Sequence, residues 1–122
     1  MKAILKLNEN VSIEVESENI VDLVSQMTDV RESIGPEPCG KCKKNNTMPQ
    51  TRTIGDDTFY EIKCADCGAV LQLGMSKGDG KLYKKRMKTD GKGKAVKDDN
   101  GKAVYLSNNG WLKWNPEKKE ME

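Results

Sequence analysis

Apolar and polar positions alternate at the start of the chain. "KAILKL" is followed by the polar turn "NEN" and then by "VSIEVE". In the second stretch Val11, Ile13 and Val15 fall on one face and Ser12, Glu14 and Glu16 on the other. That period of two predicts a β-hairpin over residues 2 to 16. The period then lengthens. Ile20, Leu23, Val24, Met27, Val30 and Ile34 follow helical spacing. Ser17 or Asn19 can cap the start, and Gly35, as a left-handed cap, with Pro36 ends the helix. Residues 1–35 are thus expected to form a β-β-α unit with an acidic outer face. Its apolar stripe reads first as core packing and second as a partner or dimer surface.

A short stiff "PEP" leads on. "QTRTI" and "TFYEIK" are β-prone and joined by "GDD", a hairpin signal, and "GAVLQLG" offers a third strand. From residue 74 glycine and lysine dominate. "LYKKRM" reads as a strand, "DGKGK" as a mobile loop, and "KAVKDDNGKAVYL" as a hairpin around Asn100 and Gly101. The chain closes on "SNNGWLKWNP" and a charged tail, "EKKEME", expected to be frayed and disordered. The boundaries are 36–74 for the middle segment, 75–116 for the basic one and 117–122 for the tail. Beyond the paired cysteines no internal repeat stands out.

Composition sharpens this outline. Of 122 residues 35% are hydrophobic and 33% charged, with a single Phe. A chain of this size with so little core material needs a staple. The formal net charge of +2 conceals a split: residues 1–38 carry a net of −5 and residues 39–122 a net of +7. Two surfaces with different partners follow from such a division. No apolar run approaches the roughly 20 residues of a membrane span. Nor does the N-terminus have the continuous apolar stretch of a secretory signal. A soluble cytoplasmic protein with no membrane partner is the expectation.

The staple is in the cysteines. All four lie in "CGKC" and "CADC": Cys39, Cys42, Cys64 and Cys67. The pairs are separated by 21 residues, just beyond the usual spacing of a tetrathiolate zinc site. A C-x2-C turn puts two sulfurs on one small loop, about 2.3 Å from a shared ion, and two such loops at the ends of a hairpin close a tetrahedron. Gly68 suits the tight backbone after the second pair, and Gly40 sits inside the first. Two disulfides would need an oxidising compartment. A rubredoxin-type iron site uses the same ligands in an aromatic setting. A dithiol redox site needs only one pair. Structural Zn2+ is the preferred reading, with its binding energy largely folding energy. Bound thiolates and a divalent ion would bring the chain near neutrality. Four thiolates leave no open coordination position, and the chain has no His to act as a base, so enzyme activity is not expected. Glu61, on the expected hairpin, reads as a solvated strand residue. The fold class that results is a small α+β chain: an N-terminal β-hairpin plus helix, a central four-cysteine zinc ribbon and a C-terminal β-rich basic segment.

A metal staple does not decide function. Lys81, Lys84, Lys85, Arg86 and Lys88 lie within eight residues, with Tyr83 among them, and Lys92, Lys94, Lys97 and Lys102 follow. Lysine clusters bind phosphates by releasing condensed counterions. Aromatic faces stack on unpaired bases, at roughly 1–3 kcal/mol per base. Candidates are Tyr83, Tyr105, Trp111, Trp114, Phe59 and Tyr60. Against this, lysine-rich loops are often plain soluble surface. A small core has use for both tryptophans, and "NNGW" reads as a turn delivering Trp111 into a packed position. The nucleic-acid-contact set is therefore Lys81, Tyr83, Lys84, Lys85, Arg86, Lys88, Trp111 and Trp114.

The order "CGKC", "FYEIKCADCGAVLQLG", "KLYKKR", "NNGWLKW" after a β-β-α leader resembles a family of small zinc-ribbon proteins encoded by bacteriophages. The similarity covers nearly the whole chain, to about Trp114, and "LYKKR" followed by "NNGW" is its distinctive part. The segment "TDGKGKAVKDDNGKAVYL" is longer than the family's. The resemblance implies a role with single-stranded DNA in phage-type replication or recombination, in the cytoplasm of a bacterial host. A protein-interaction adaptor, binding a host or phage protein or a second copy through residues 1–35, is the alternative.

Overall fold

The computed structural model describes residues 1–35 and 37–122. Among these residues it is an α+β chain with one α-helix, several antiparallel sheets and four clustered cysteines. Strands β1 (Lys2–Lys6) and β2 (Ser12–Glu16) pair antiparallel, with Ala3 opposite Val15 and Leu5 opposite Ile13. Asn8 closes the turn by accepting from the amides of Asn10 and Val11. Helix α1 (Ile20–Ile34) is capped by Asn19, whose side chain accepts from the Asp22 amide at 2.8 Å. Ser17 instead donates its hydroxyl to the Asp22 carboxylate.

The helix stripe divides. Leu23 is buried and Met27, Val30 and Ile34 are half-buried, while Ile20, Val21 and Val24 stay exposed. The C-terminus also departs from the expected left-handed cap. Gly35 has φ −56° and donates its amide to Arg31 O at 2.9 Å. A Cβ at this position would lie 1.9 Å from that same oxygen. Glycine is required here for close approach rather than for its hand. Pro36, the second expected stop, lies outside the described residues.

Strands β3 (Thr47–Ile54), β4 (Asp57–Cys64), β5 (Val70–Met75) and β6 (Leu82–Lys84) form a sheet in that order. Strand β7 (Trp111–Leu112) pairs with β5 beside β6. The register separates two faces. Ile62 opposes Leu71 and Tyr60 opposes Leu73, and this side carries the core with Cys39, Cys64, Ala69 and Trp111. Ile34 and Leu82 pack against it, so α1 lies on β6. On the other side Gln50 opposes Glu61, Arg52 opposes Phe59, Lys63 opposes Val70 and Gly74 opposes Tyr83. The middle and basic segments therefore share one sheet and one core.

Between Met87 and Tyr105 the sequence repeats. Asp90-x-x-Gly93-Lys94-Ala95-Val96 returns eight residues later as Asp98-x-x-Gly101-Lys102-Ala103-Val104. The two copies have the same hydrogen bonds. Asp90 Oδ1 accepts from the amides of Lys92 and Lys94, and Asp98 Oδ1 from those of Asn100 and Lys102. Gly93 and Gly101 take the left-handed backbone, with φ 81° and 77°. Bridges Thr89–Ala95 and Lys97–Ala103 close the hairpins. Amides of Lys88, Val96 and Val104 donate to the carbonyls of Val104, Lys88 and Val96, completing a triangle. "DGKGK" thus belongs to a first copy of the hairpin read at Asn100–Gly101, where a loop was expected.

The terminal segment also differs from expectation. Strand β9 (Glu120–Met121) pairs with β8 (Trp114–Asn115), and Asn115 Oδ1 accepts from the amides of Glu117 and Lys118. The expected disordered tail is a hairpin held by this turn.

Candidate metal centre and the surfaces around it

The two cysteine loops are built alike. Cys39 N donates to Lys44 O and Cys64 N to Ala69 O, both at 2.9 Å. Lys43 N returns to Cys39 O and Gly68 N to Cys64 O. In each loop the residue after the second cysteine is left-handed: Lys43 at φ 67° and Gly68 at φ 81°. The first loop also needs Gly40, where a Cβ would lie 2.3 Å from Asn108 O and 2.7 Å from Trp111 Cδ1.

These loops bring Cys39, Cys42, Cys64 and Cys67 together, with their sulfurs all within 4.8 Å of one another. Cys39 Sγ lies 3.5 Å from Cys67 Sγ, and Cys42 Sγ 3.5 Å from Cys64 Sγ. A regular tetrahedron with arms of about 2.3 Å has edges of about 3.8 Å, so the set fits one ion. The Lys41 amide donates to Cys39 Sγ at 3.3 Å. Burial, with the neighbouring thiols, pushes the Cys39 thiol up to about 12 against the pull of the Cys42 and Lys41 amides. A cation reverses that balance, because a coordinating thiol loses its proton. The four cysteines can hold a metal ion.

Beside the centre stands Trp111, 0% exposed. It enters the core from a turn over residues 107–110 in which Asn108, Asn109 and Gly110 are all left-handed. Its indole N–H donates to Glu37 Oε2 at 3.1 Å. Glu37 also accepts from Lys84 Nζ at 3.0 Å, from Arg86 Nη1 at 3.1 Å and from Arg86 Nη2. Partial burial works to raise the Glu37 pKa, but Arg86, Trp111 and Lys84 outweigh it and hold it at about 2.

This corrects three of the proposed contacts. Trp111 is enclosed and offers no face to a base. Lys84 and Arg86 point to the Glu37 side of the sheet and are committed there, Lys84 also to Gly35 O and Arg86 to Asn109 O. Strand alternation is the cause, since neighbours along β6 face opposite ways. Lys81 is exposed and 3.6 Å from Asp29. Tyr83 is 49% exposed, its ring over Gly74, where a Cβ would lie 2.5 Å from Tyr83 Cζ. Lys85 is half-buried and Lys88 exposed. Trp114 is 54% exposed. A groove lined by Tyr83, Lys85, Met87 and Tyr105 runs beside the first repeat hairpin.

Sequence reasoning missed Glu37 and misplaced Glu61, expected as a solvated strand residue. Glu61 is 2% exposed, accepts from Gln50 Nε2 at 2.6 Å, and lies 3.5 Å from Arg52 Nε. Its position opposite Gln50 in the β3–β4 hairpin was the available signal.

Comparison with known proteins found no matching family model, no matching curated protein and no matching solved structure.

Proposed function

We propose that this chain is a non-enzymatic nucleic-acid-binding protein that prefers single strands and is stapled by Zn2+ at Cys39, Cys42, Cys64 and Cys67. Zinc is favoured by a donor set of four soft sulfurs in near-tetrahedral reach. The observation that carries the binding reading is a groove lined by two exposed rings, Tyr83 and Tyr105, together with Lys85. Bases stack on the rings, and phosphates run along lysines that have no ion pair among the described residues: Lys85, Lys88, Lys92, Lys94, Lys97 and Lys102. The phage replication setting rests on the resemblance alone. Fluorescence anisotropy with a labelled single-stranded oligonucleotide tests the reading. Affinity should fall steeply with salt, and absence of binding at low salt overturns it.

A second reading is supported by the exposed Ile4, Ile20, Val21 and Val24 on the acidic N-terminal unit. In this reading a protein partner or a second copy docks there. A partner retained after nuclease treatment and lost on replacing Glu14, Glu16 and Glu18 distinguishes it.

A further inference from the structure

The sheet face turned away from the core carries an aromatic row. Arg52 on β3 pairs with Phe59 on β4, and Gly74 on β5 pairs with Tyr83 on β6. Phe59 stands one place beyond the Tyr60–Leu73 pair, in line with Gly74. Arg52, Phe59, Gly74 and Tyr83 therefore follow one another across four strands on one face. Phe59 is 41% exposed and Tyr83 49%. Gly74 lets the two rings share the row. A Cβ there would lie 2.5 Å from Tyr83 Cζ and 2.6 Å from its hydroxyl, so the phenol reaches over bare backbone towards β4. Arg52 Cζ lies 5.2 Å from the centroid of the Phe59 ring, a cation held on an aromatic face. In the next row Gln50 pairs with Glu61, Glu61 with Gln72, and the Lys85 amide donates to Gln72 O at 2.9 Å. Glu61 is buried and faces Arg52, whereas Lys85 has no ion pair among the described residues.

We infer that this row is a stacking platform for single-stranded DNA that crosses the strands from the Tyr83 and Tyr105 groove to Phe59, an inference that rests on the reading of the protein as a nucleic-acid binder. Tyr83 belongs to the groove and to the row alike, so the path is continuous. Two strand spacings, about 10 Å, separate β4 from β6, so each ring can take its own base. Every base has a π face, and stacking of this kind tolerates any sequence. A duplex keeps its bases stacked inside and gives the rings nothing to hold. Charge sets the course of the backbone. On its other side Tyr83 borders a cleft with Asp29, Glu32 and Asp79, which repel phosphates. Arg52 and Lys85 flank the row, and exposed Lys63 lies further along the same face of β4. Asp57, two places before Phe59 on that face, bounds the platform at the β3–β4 turn.

Two measurements on the full, metal-loaded chain test this: anisotropy titration with labelled oligo-dT, and photo-crosslinking to an oligonucleotide that carries iododeoxyuridine. Crosslinked peptides are expected at Phe59 as well as at Tyr83. Phe59→Leu should weaken oligo-dT binding by roughly fivefold or more. Its slope against salt should stay unchanged, because a ring is lost and no charge. Lys85→Gln should instead lower that slope by about 0.7, the value of one phosphate contact on a single strand. Gly74→Ala, which pushes the Tyr83 ring aside, should weaken binding at a nearly constant melting temperature. A duplex of the same length should bind at least tenfold more weakly than the single strand. Unchanged affinity of Phe59→Leu, or crosslinks that never reach Phe59, overturns the platform and leaves the general function standing. Absence of oligo-dT binding at low salt removes both. The crosslink is read on the unaltered chain and stands even if a variant misfolds.

Discussion

Glu37 ties together side chains that lie 47, 49 and 74 positions along the chain. Removing a partner from such a cluster leaves partly buried cations unpaired, which costs roughly 3–5 kcal/mol. Glu37→Ala is therefore expected to lower unfolding free energy by about that amount in urea titrations at neutral pH. Acid acts on the same bonds. The folded-state pKa of about 2 lies below the usual 4.5, so this contribution is fully present above about pH 4.5 and is lost as pH falls towards 2. Glu37→Gln should flatten the stability slope between those limits, and an unchanged slope would show that other carboxylates dominate. None of this was legible locally, because a Glu between two prolines carries no signal of partners so distant. Trp111 was more legible. The run of Asn, Asn and Gly before it is a set of residues that tolerate left-handed backbone, and all three adopt it.

At the scale of elements, the basic cluster was misread for a simple reason. Lysines adjacent in sequence look like one patch, but an extended chain sends alternate residues to opposite sides, so Lys84 and Arg86 bond Glu37 while exposed Tyr83 and half-buried Lys85 lie on the other side. The clustering of the four cysteines, by contrast, was legible, since two C-x2-C turns at the ends of a hairpin bring their sulfurs together. Gly40→Ala places a methyl group against Asn108 O and the Trp111 ring. It should weaken metal retention in a chelator competition by tenfold or more, while Gly91→Ala, which meets nothing within 4 Å, should leave it unchanged. Of the tandem hairpins only the one at Asn100 and Gly101 was read, because the first copy begins in "DGKGK", where glycine and lysine hide a unit of only eight residues. Their equivalence is testable. Asp90→Ala should lose amide-exchange protection at Lys94, and Asp98→Ala at Lys102, each by roughly fivefold for a net bond of about 1 kcal/mol. The global melting temperature should barely move in either case.

For the whole molecule, the core cluster of the five-stranded sheet includes Cys39 and Cys64 together with Ile62, Leu71, Leu73 and Trp111, while Val15 and Leu23 are buried outside it. Metal removal should therefore unfold the five-stranded sheet rather than loosen a peripheral loop. Circular dichroism before and after chelation checks this, with elemental analysis to distinguish zinc from iron. A melting curve indifferent to chelator would mean that the sulfurs hold no structural ion. The triangle of Lys88, Val96 and Val104 has a further consequence. Beyond β6 the chain passes Arg86 and comes back past Leu106, whose amide is 2.8 Å from Arg86 O. The intervening stretch is thus a detachable cassette whose two ends already touch. Excising residues 88–104 and bridging the gap with two glycines should yield a shortened protein that keeps its metal and its spectrum while shedding five positive side chains, turning a question about charge into a cut-and-paste experiment.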